Sequence, residues 1–265
     1  MLRSHTTATM EDMSDKRIAI VTGAGQGIGR ETSVVLAREG FTVVCVDMNG
    51  AAAQETATLV NGIAAPAMDV RDETAVAALV AGLERCDVLV SNAGIWKFTS
   101  LLETPVSEAN DVLSVNVVAP LIWIKAIAPL MAKNGGGSIV HLTSVAARAV
   151  ASGTGIYPAS KAGVIALTEQ AAVELGPMGI RVNAVGPGRI ETEGTAGRTG
   201  GNEDSLIGAS AIALGRWGRA NDIAEAIGFL CSPQSSYITG QVIWVDGGLT
   251  IGTNDYLRHM RTSKK

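Results

Sequence analysis

Apolar residues in this chain recur in two alternating rhythms. Short runs dense in Val, Ile and Leu fall at residues 17–21, 42–46, 88–90, 138–142, 181–185 and 242–245, with a weaker one at 63–68. Between them lie longer stretches in which apolar positions return every three or four residues, at 28–39, 50–59, 74–85, 106–131, 157–175 and 220–230. The first rhythm predicts strands buried on both faces, and the second predicts helices with one apolar stripe. Strand and helix alternating in this way is the pattern of repeated βαβ units with right-handed crossovers. The expected fold class is α/β: one domain, with a doubly wound, seven-stranded parallel sheet and helices on both faces.

One segment breaks the rhythm. Residues 189–218 carry Gly194, Gly197, Gly200, Gly201 and Gly208 among polar residues and follow a predicted strand end. Loops at the carboxyl ends of parallel strands are where open sheets bind ligands, so this stretch is expected to be a substrate lid. A long surface insertion is the alternative. The folded domain is expected over 16–250, after a polar, disordered extension at 1–15. A solvated tail at 251–265 holds Arg258, Arg261, Lys264 and Lys265.

Composition narrows the picture. At 265 residues and a formal charge of −4, the chain is long enough for a large core and lacks the clustered basic face that nucleic acid requires. Cys45, Cys86 and Cys231 form no CxxC pair and read as reduced thiols. His5 and His259 lie near the ends and His141 lies in a strand run, so no metal site is expected. The opening residues lack the apolar core of a signal peptide, and no later segment reads as long enough without charge to span a bilayer. A cytoplasmic protein that does not engage membrane is expected.

Two motifs carry chemistry. The run Thr22-Gly23-Ala24-Gly25-Gln26-Gly27-Ile28-Gly29 joins the first predicted strand to the first helix. Small residues there let a dinucleotide pyrophosphate approach free backbone N–H groups, as in a Rossmann fold. Asp47 ends the second strand run. Its carboxylate suits ribose hydroxyls and would repel a 2′-phosphate, which favours NAD over NADP. Gln26 and Met48 agree, since neither is basic.

Tyr157 and Lys161, four apart in a helical stretch, share one face, so an ammonium can sit beside a phenol and favour its ionised form. Ser144, at a strand end, can hydrogen-bond the same substrate oxygen. Trp96, Phe98, Ala146, Ala147 and the segment from Ile190 are candidates to border an apolar pocket; a core role for Trp96 or Phe98 is equally open.

The glycine run, Asn92-Ala93-Gly94, Ser144 with Tyr157-Pro158-Ala159-Ser160-Lys161, and Pro187-Gly188 resemble the short-chain dehydrogenase/reductase family, in family order and spacing, from about Lys16 to about Leu249. The glycine spacing differs from GxGxxG in other dehydrogenases. The resemblance implies an NAD-dependent oxidoreductase that moves a hydride between the nicotinamide and a secondary alcohol or ketone. It implies Tyr157 as acid/base, Ser144 as its partner, Lys161 also on the nicotinamide ribose, and Asn116 placing a water in a proton relay. A buried Asn116 bonded to the helix backbone is the other reading. By the same resemblance Gly23, Gly25, Gln26, Gly27, Ile28, Gly29, Asp47 and Met48 form the coenzyme cradle. Asp69 and Val70 would contact the adenine, Asn92, Ala93 and Gly94 would line the coenzyme, and Pro187, Gly188, Ile190 and Thr192 would hold the nicotinamide amide. A homotetramer is implied, joined through the helices at 106–131 and 157–175 and the last strand. The alternatives are an NADPH-dependent 3-oxoacyl-thioester (acyl carrier protein) reductase and a non-catalytic NAD-binding sensor.

Overall fold

A computed structural model describes residues 16–195 and 209–252. The expected extension at 1–15, the centre of the expected lid, and the basic tail with Arg258, Arg261, Lys264 and Lys265 lie outside the described residues, as do His5 and His259.

The seven-stranded sheet consists of β1 (Ile18–Thr22), β2 (Thr42–Val46), β3 (Ile63–Ala64), β4 (Val88–Ser91), β5 (Gly137–Leu142), β6 (Ile180–Pro187) and, at the far edge, β9 (Val242–Val245). Their order is β3-β2-β1-β4-β5-β6-β9 and every pairing is parallel. Two further short strands, β7 (Ile190–Glu191) and β8 (Gly218–Arg219), pair with each other and close the base of the segment expected as a lid.

Strand side chains alternate between two apolar layers. Ile18 and Ile20 of β1 enter one layer, whereas Ala19 and Val21 enter the other. Helices α3 (Glu73–Ala81), α5 (Ala119–Lys133) and α6 (Tyr157–Leu175) cover the first layer. Helices α1 (Gly27–Arg38), α2 (Gly50–Val60) and α7 (Ala220–Cys231) cover the second. All three cysteines are buried and unpaired, and burial pushes the Cys45 thiol up to about 11.

Local chemistry sets the element ends. Asn49 accepts from Ala52 N–H and Asp72 from Ala75 N–H, which starts α2 and α3. Asn61, at φ 51°, ends α2 in the left-handed region. Three expected boundaries need correction. The strand expected over 63–68 is a two-residue edge piece, because an edge strand has one neighbour to hold it. The helix expected over 74–85 stops at Ala81, where Gly82 follows. The helix expected over 106–131 is α4 (Val106–Leu113), a π-turn at Ser114–Val118, and α5.

The span Val106–Lys133 also corrects the expectation that no segment is long and apolar enough to cross a bilayer: by length and composition it qualifies. In this fold much of it is buried, with Ile122, Trp123, Ile127 and Met131 packed into the first layer.

Candidate active site

The chain leaves β1 toward β2 on one side, while β4 continues the sheet on the other, so a crevice opens where the ends of β1 and β4 diverge. The glycine turn lines this crevice. Gly23 and Gly27 have φ of +65° and +53°, a region L side chains rarely adopt. At Gly29 an added Cβ would stand 2.0 Å from the Gly23 carbonyl oxygen, so the turn and the first coil of α1 close only with glycine there. Ile28 packs toward the second apolar layer, and Gln26 precedes α1 without capping it. That backbone fits a dinucleotide pyrophosphate: glycines at 23, 25, 27 and 29 leave it open to close approach, and it ends on helical N–H groups.

Asp47 stands at the end of β2. Its Oδ2 accepts from Gly25 N–H at 2.9 Å and its Oδ1 from Asn49 N–H at 2.9 Å, so the carboxylate also pins the glycine turn to the sheet. Met48 beside it is exposed. Asn92 braces the turn from the other side. Its Nδ2 donates to the carbonyls of Thr22 and Gly23, and Thr22 Oγ1 accepts from Asn92 and Ala93 N–H. The Asn92 side chain is therefore engaged with the turn itself.

The Asp69 carboxylate is gripped by Arg71, which also approaches Asp111 at 3.5 Å. The Arg71 guanidinium holds this carboxyl below its ordinary value. Val70 is buried in the first apolar layer. Across the crevice, Pro187 ends β6 and Gly188 N–H donates to Val245 O. An added Cβ at Gly188 would come within 2.7 Å of the Asp246 Cα. Ile190 is buried, and Thr192 lies against Gly27.

Ser144 follows β5, and Tyr157 opens α6, with Pro158 in the first turn where its missing N–H is harmless. Lys161 lies one turn on and is buried. Its Nζ donates to Leu142 O at 2.8 Å and lies 5.8 Å from the centroid of the Tyr157 ring. Gly94 faces the same group: an added Cβ would stand 3.4 Å from Lys161 Nζ and 3.1 Å from Asn116 Oδ1. Residues from β4, the π-turn, β5 and α6 thus meet at one corner of the crevice.

Protonation here departs from the expectation that Lys161 lowers the phenol. Burial raises the Tyr157 phenol above its ordinary value, and the Ser144 hydroxyl opposes the rise. Burial pushes the Lys161 ammonium down to about 8. The low dielectric that brings the two together disfavours both ionised forms.

Asn116 is buried, and the partners of its side chain lie outside its own helix. Its Oδ1 accepts from Ile95 N–H and its Nδ2 donates to Ile95 O and Ser160 Oγ, while Ser160 donates to Tyr157 O. The π-turn re-aims this one side chain between the β4 loop and α6. Ser160 is a link that sequence reasoning missed, since a serine within a helix carries no signal. Trp96 and Phe98 are both half-exposed, which sets aside a core role, and the Trp96 ring lies 3.4 Å from where a Gly194 Cβ would be. Arg71, which grips Asp69, and Glu193, which meets Gly27 N–H, were likewise silent in the sequence.

Comparison with known proteins agrees with this geometry. The family model described as enoyl-(acyl carrier protein) reductase matches residues 23–250. The 3-oxoacyl-[acyl-carrier-protein] reductase FabG of Thermotoga maritima is 37% identical over 243 residues, covering 89% of this chain and 98% of that protein. Human (3R)-3-hydroxyacyl-CoA dehydrogenase is 39% identical over 249 residues, covering 88% and 95%. A structure from Beutenbergia cavernae, titled as an NAD(P)-dependent gluconate 5-dehydrogenase with NADP at low occupancy, superposes with a TM-score of 0.84 at 33% identity, over 89% and 97% of the two chains. A crevice with this glycine turn at one end and a Ser-Tyr-Lys corner at the other, on a chain matched almost throughout, makes this protein a member of the short-chain dehydrogenase/reductase family of oxidoreductases.

Proposed function

We propose that the protein is an NAD-dependent oxidoreductase acting on a secondary alcohol or the corresponding ketone, with Tyr157 as acid/base. The observation that carries this reading is the meeting of Ser144, Tyr157 and Lys161 at one corner of the crevice, beside Gly94 and facing the glycine turn. When bound, the nicotinamide supplies or accepts the hydride. Tyr157 gives its phenolic proton to the carbonyl oxygen in reduction and takes the alcohol proton in oxidation. The Ser144 hydroxyl donates to that oxygen and fixes its position. Lys161, as an ammonium, favours the phenolate and binds ribose hydroxyls. Gly23, Gly25, Gly27 and Gly29 cradle the pyrophosphate, and Asp47 takes the adenosine ribose. The presence of Tyr157 and Lys161 argues against a non-catalytic sensor.

A second reading concerns substrate and coenzyme together. Relatives named as 3-oxoacyl-[acyl-carrier-protein] reductase and 3-hydroxyacyl-CoA dehydrogenase favour a 3-oxoacyl or 3-hydroxyacyl thioester, and the NADP-bound neighbour favours NADP. Against NADP stands Asp47, whose charge would meet a 2′-phosphate. Initial rates with NAD and NADP over a 3-hydroxyacyl thioester, a cyclic secondary alcohol and a sugar alcohol decide between these. Faster turnover with NAD supports the first reading, and a preference for NADP overturns its coenzyme assignment.

The same reading includes a cytoplasmic homotetramer. Val106, Val118 and Leu121 along α4–α5 and Val173 on α6 are exposed apolar residues on the helices through which family members associate. Light scattering that gives a monomer mass would contradict it.

A further inference from the structure

Helix α1 begins with no local cap. The Gln26 side chain caps nothing, and the first turn holds no acidic residue. Its leading amide is instead met from 166 positions away, where Glu193 Oε2 accepts from Gly27 N–H at 3.2 Å. The carboxylate is delivered by a braced turn. Thr195 Oγ1 donates to Ile190 O at 2.8 Å and accepts from Thr192 N–H at 2.9 Å, and the pair β7–β8 anchors the segment behind it.

A carboxylate on a helix N-terminus and a phosphate on the same N-terminus seek the same N–H groups and the same positive end of the helix dipole. They carry like charge and exclude each other. The open cleft of about 530 Å³ beside Gly27 gives a second phosphate-repelling feature, since it is lined by Glu31, Glu191 and Glu193. Among the described residues its one lining cation, Arg30, is engaged by Gly25 O, Thr56 and Glu55.

We propose that Glu193 is a built-in competitor for the coenzyme pyrophosphate, holding the Gly27 amide so that a dinucleotide binds only by displacing it. The proposal rests on the glycine turn being a dinucleotide site.

Glu193→Gln keeps the shape and removes the charge, and Glu193→Ala removes the contact. Both should bind NADH and ADP-ribose roughly three- to tenfold more tightly than the parent by calorimetry, because the competent state no longer has to be freed first. Adenosine, without a pyrophosphate, should bind all three proteins equally. Unchanged or weaker NADH and ADP-ribose binding in both variants overturns the proposal, as does an equal gain for adenosine. A parent that binds neither NADH nor ADP-ribose overturns the dinucleotide reading and this proposal with it. A parent that binds both, indifferent to either substitution, overturns this proposal alone.

Discussion

Lys161 Nζ donates to the Leu142 carbonyl at 2.8 Å, so the last residue of β5 holds the ammonium 5.8 Å from the centroid of the Tyr157 ring. The strand end and the first coil of α6 are further tied by Thr143, whose hydroxyl donates to Lys161 O at 2.7 Å. In this setting burial raises the Tyr157 phenol and lowers the Lys161 ammonium to about 8, which leaves Lys161 mostly charged at neutral pH.

Tyr157→Phe removes the transferable proton and little else. Turnover should fall by about 10²–10⁴-fold, the usual worth of a positioned acid/base group, while NADH affinity stays within about twofold. Near-normal kcat would refute the assignment. Lys161→Met should lower both kcat and coenzyme affinity, which separates its two roles from the single role of the phenol.

Asp47→Ala has two expected effects, because the carboxylate proposed to take the adenosine ribose also accepts from Gly25. Losing a charge-assisted hydrogen bond to the turn costs about 1.5–3 kcal/mol, so NAD affinity should drop by roughly ten- to hundredfold if the whole cost falls on binding. The NAD/NADP ratio of kcat/KM should fall as well. An unchanged ratio would show that Asp47 serves the turn alone.

Asn116→Ala leaves the part-buried Ile95 N–H and C=O without their side-chain partner and unhooks Ser160. A loss of about 2–4 kcal/mol in unfolding free energy is expected from chemical denaturation. Asn116→Asp should be nearly as damaging, since a carboxylate cannot donate to Ile95 O. Wild-type stability in both would show that water replaces the side chain.

His141 gives a pH signature in stability. It is fully buried in β5 with Nδ1 on Thr168 Oγ1, and burial, followed by the Lys161 charge, lowers it to about 4. Thr168 already donates to Val164 O, so Nδ1 carries the proton and donates, which leaves Nε2 bare. The unfolded chain takes up a proton near pH ~6.5 while the folded chain resists to about 4. The neutral imidazole's contribution is therefore fully present above about 6.5 and is lost as pH falls from 6.5 toward 4, about 3 kcal/mol in all. His141→Leu should flatten this acid-side slope whatever its effect on stability at pH 7. A slope identical to that of the parent would remove His141 as the cause.

Periodicity carried the layering, because a strand packed on both faces must be apolar throughout and a covering helix must be apolar along one stripe. Ile18 and Ala19 already point to opposite layers once β1 is placed, and the glycine turn, Ser144 and the Tyr157/Lys161 spacing stand in the chain as local motifs. The hydrogen-bond partners of those motifs are another matter. Gly27 with Glu193, Lys161 with Leu142, Asn116 with Ile95 and Ser160, and Asp47 with Gly25 join residues from different elements, and no spacing rule reaches between them. Protonation followed the same division. Residue types named Tyr157 and Lys161 as partners, but burial, which exists only after the layers close, moved the phenol up and the ammonium down.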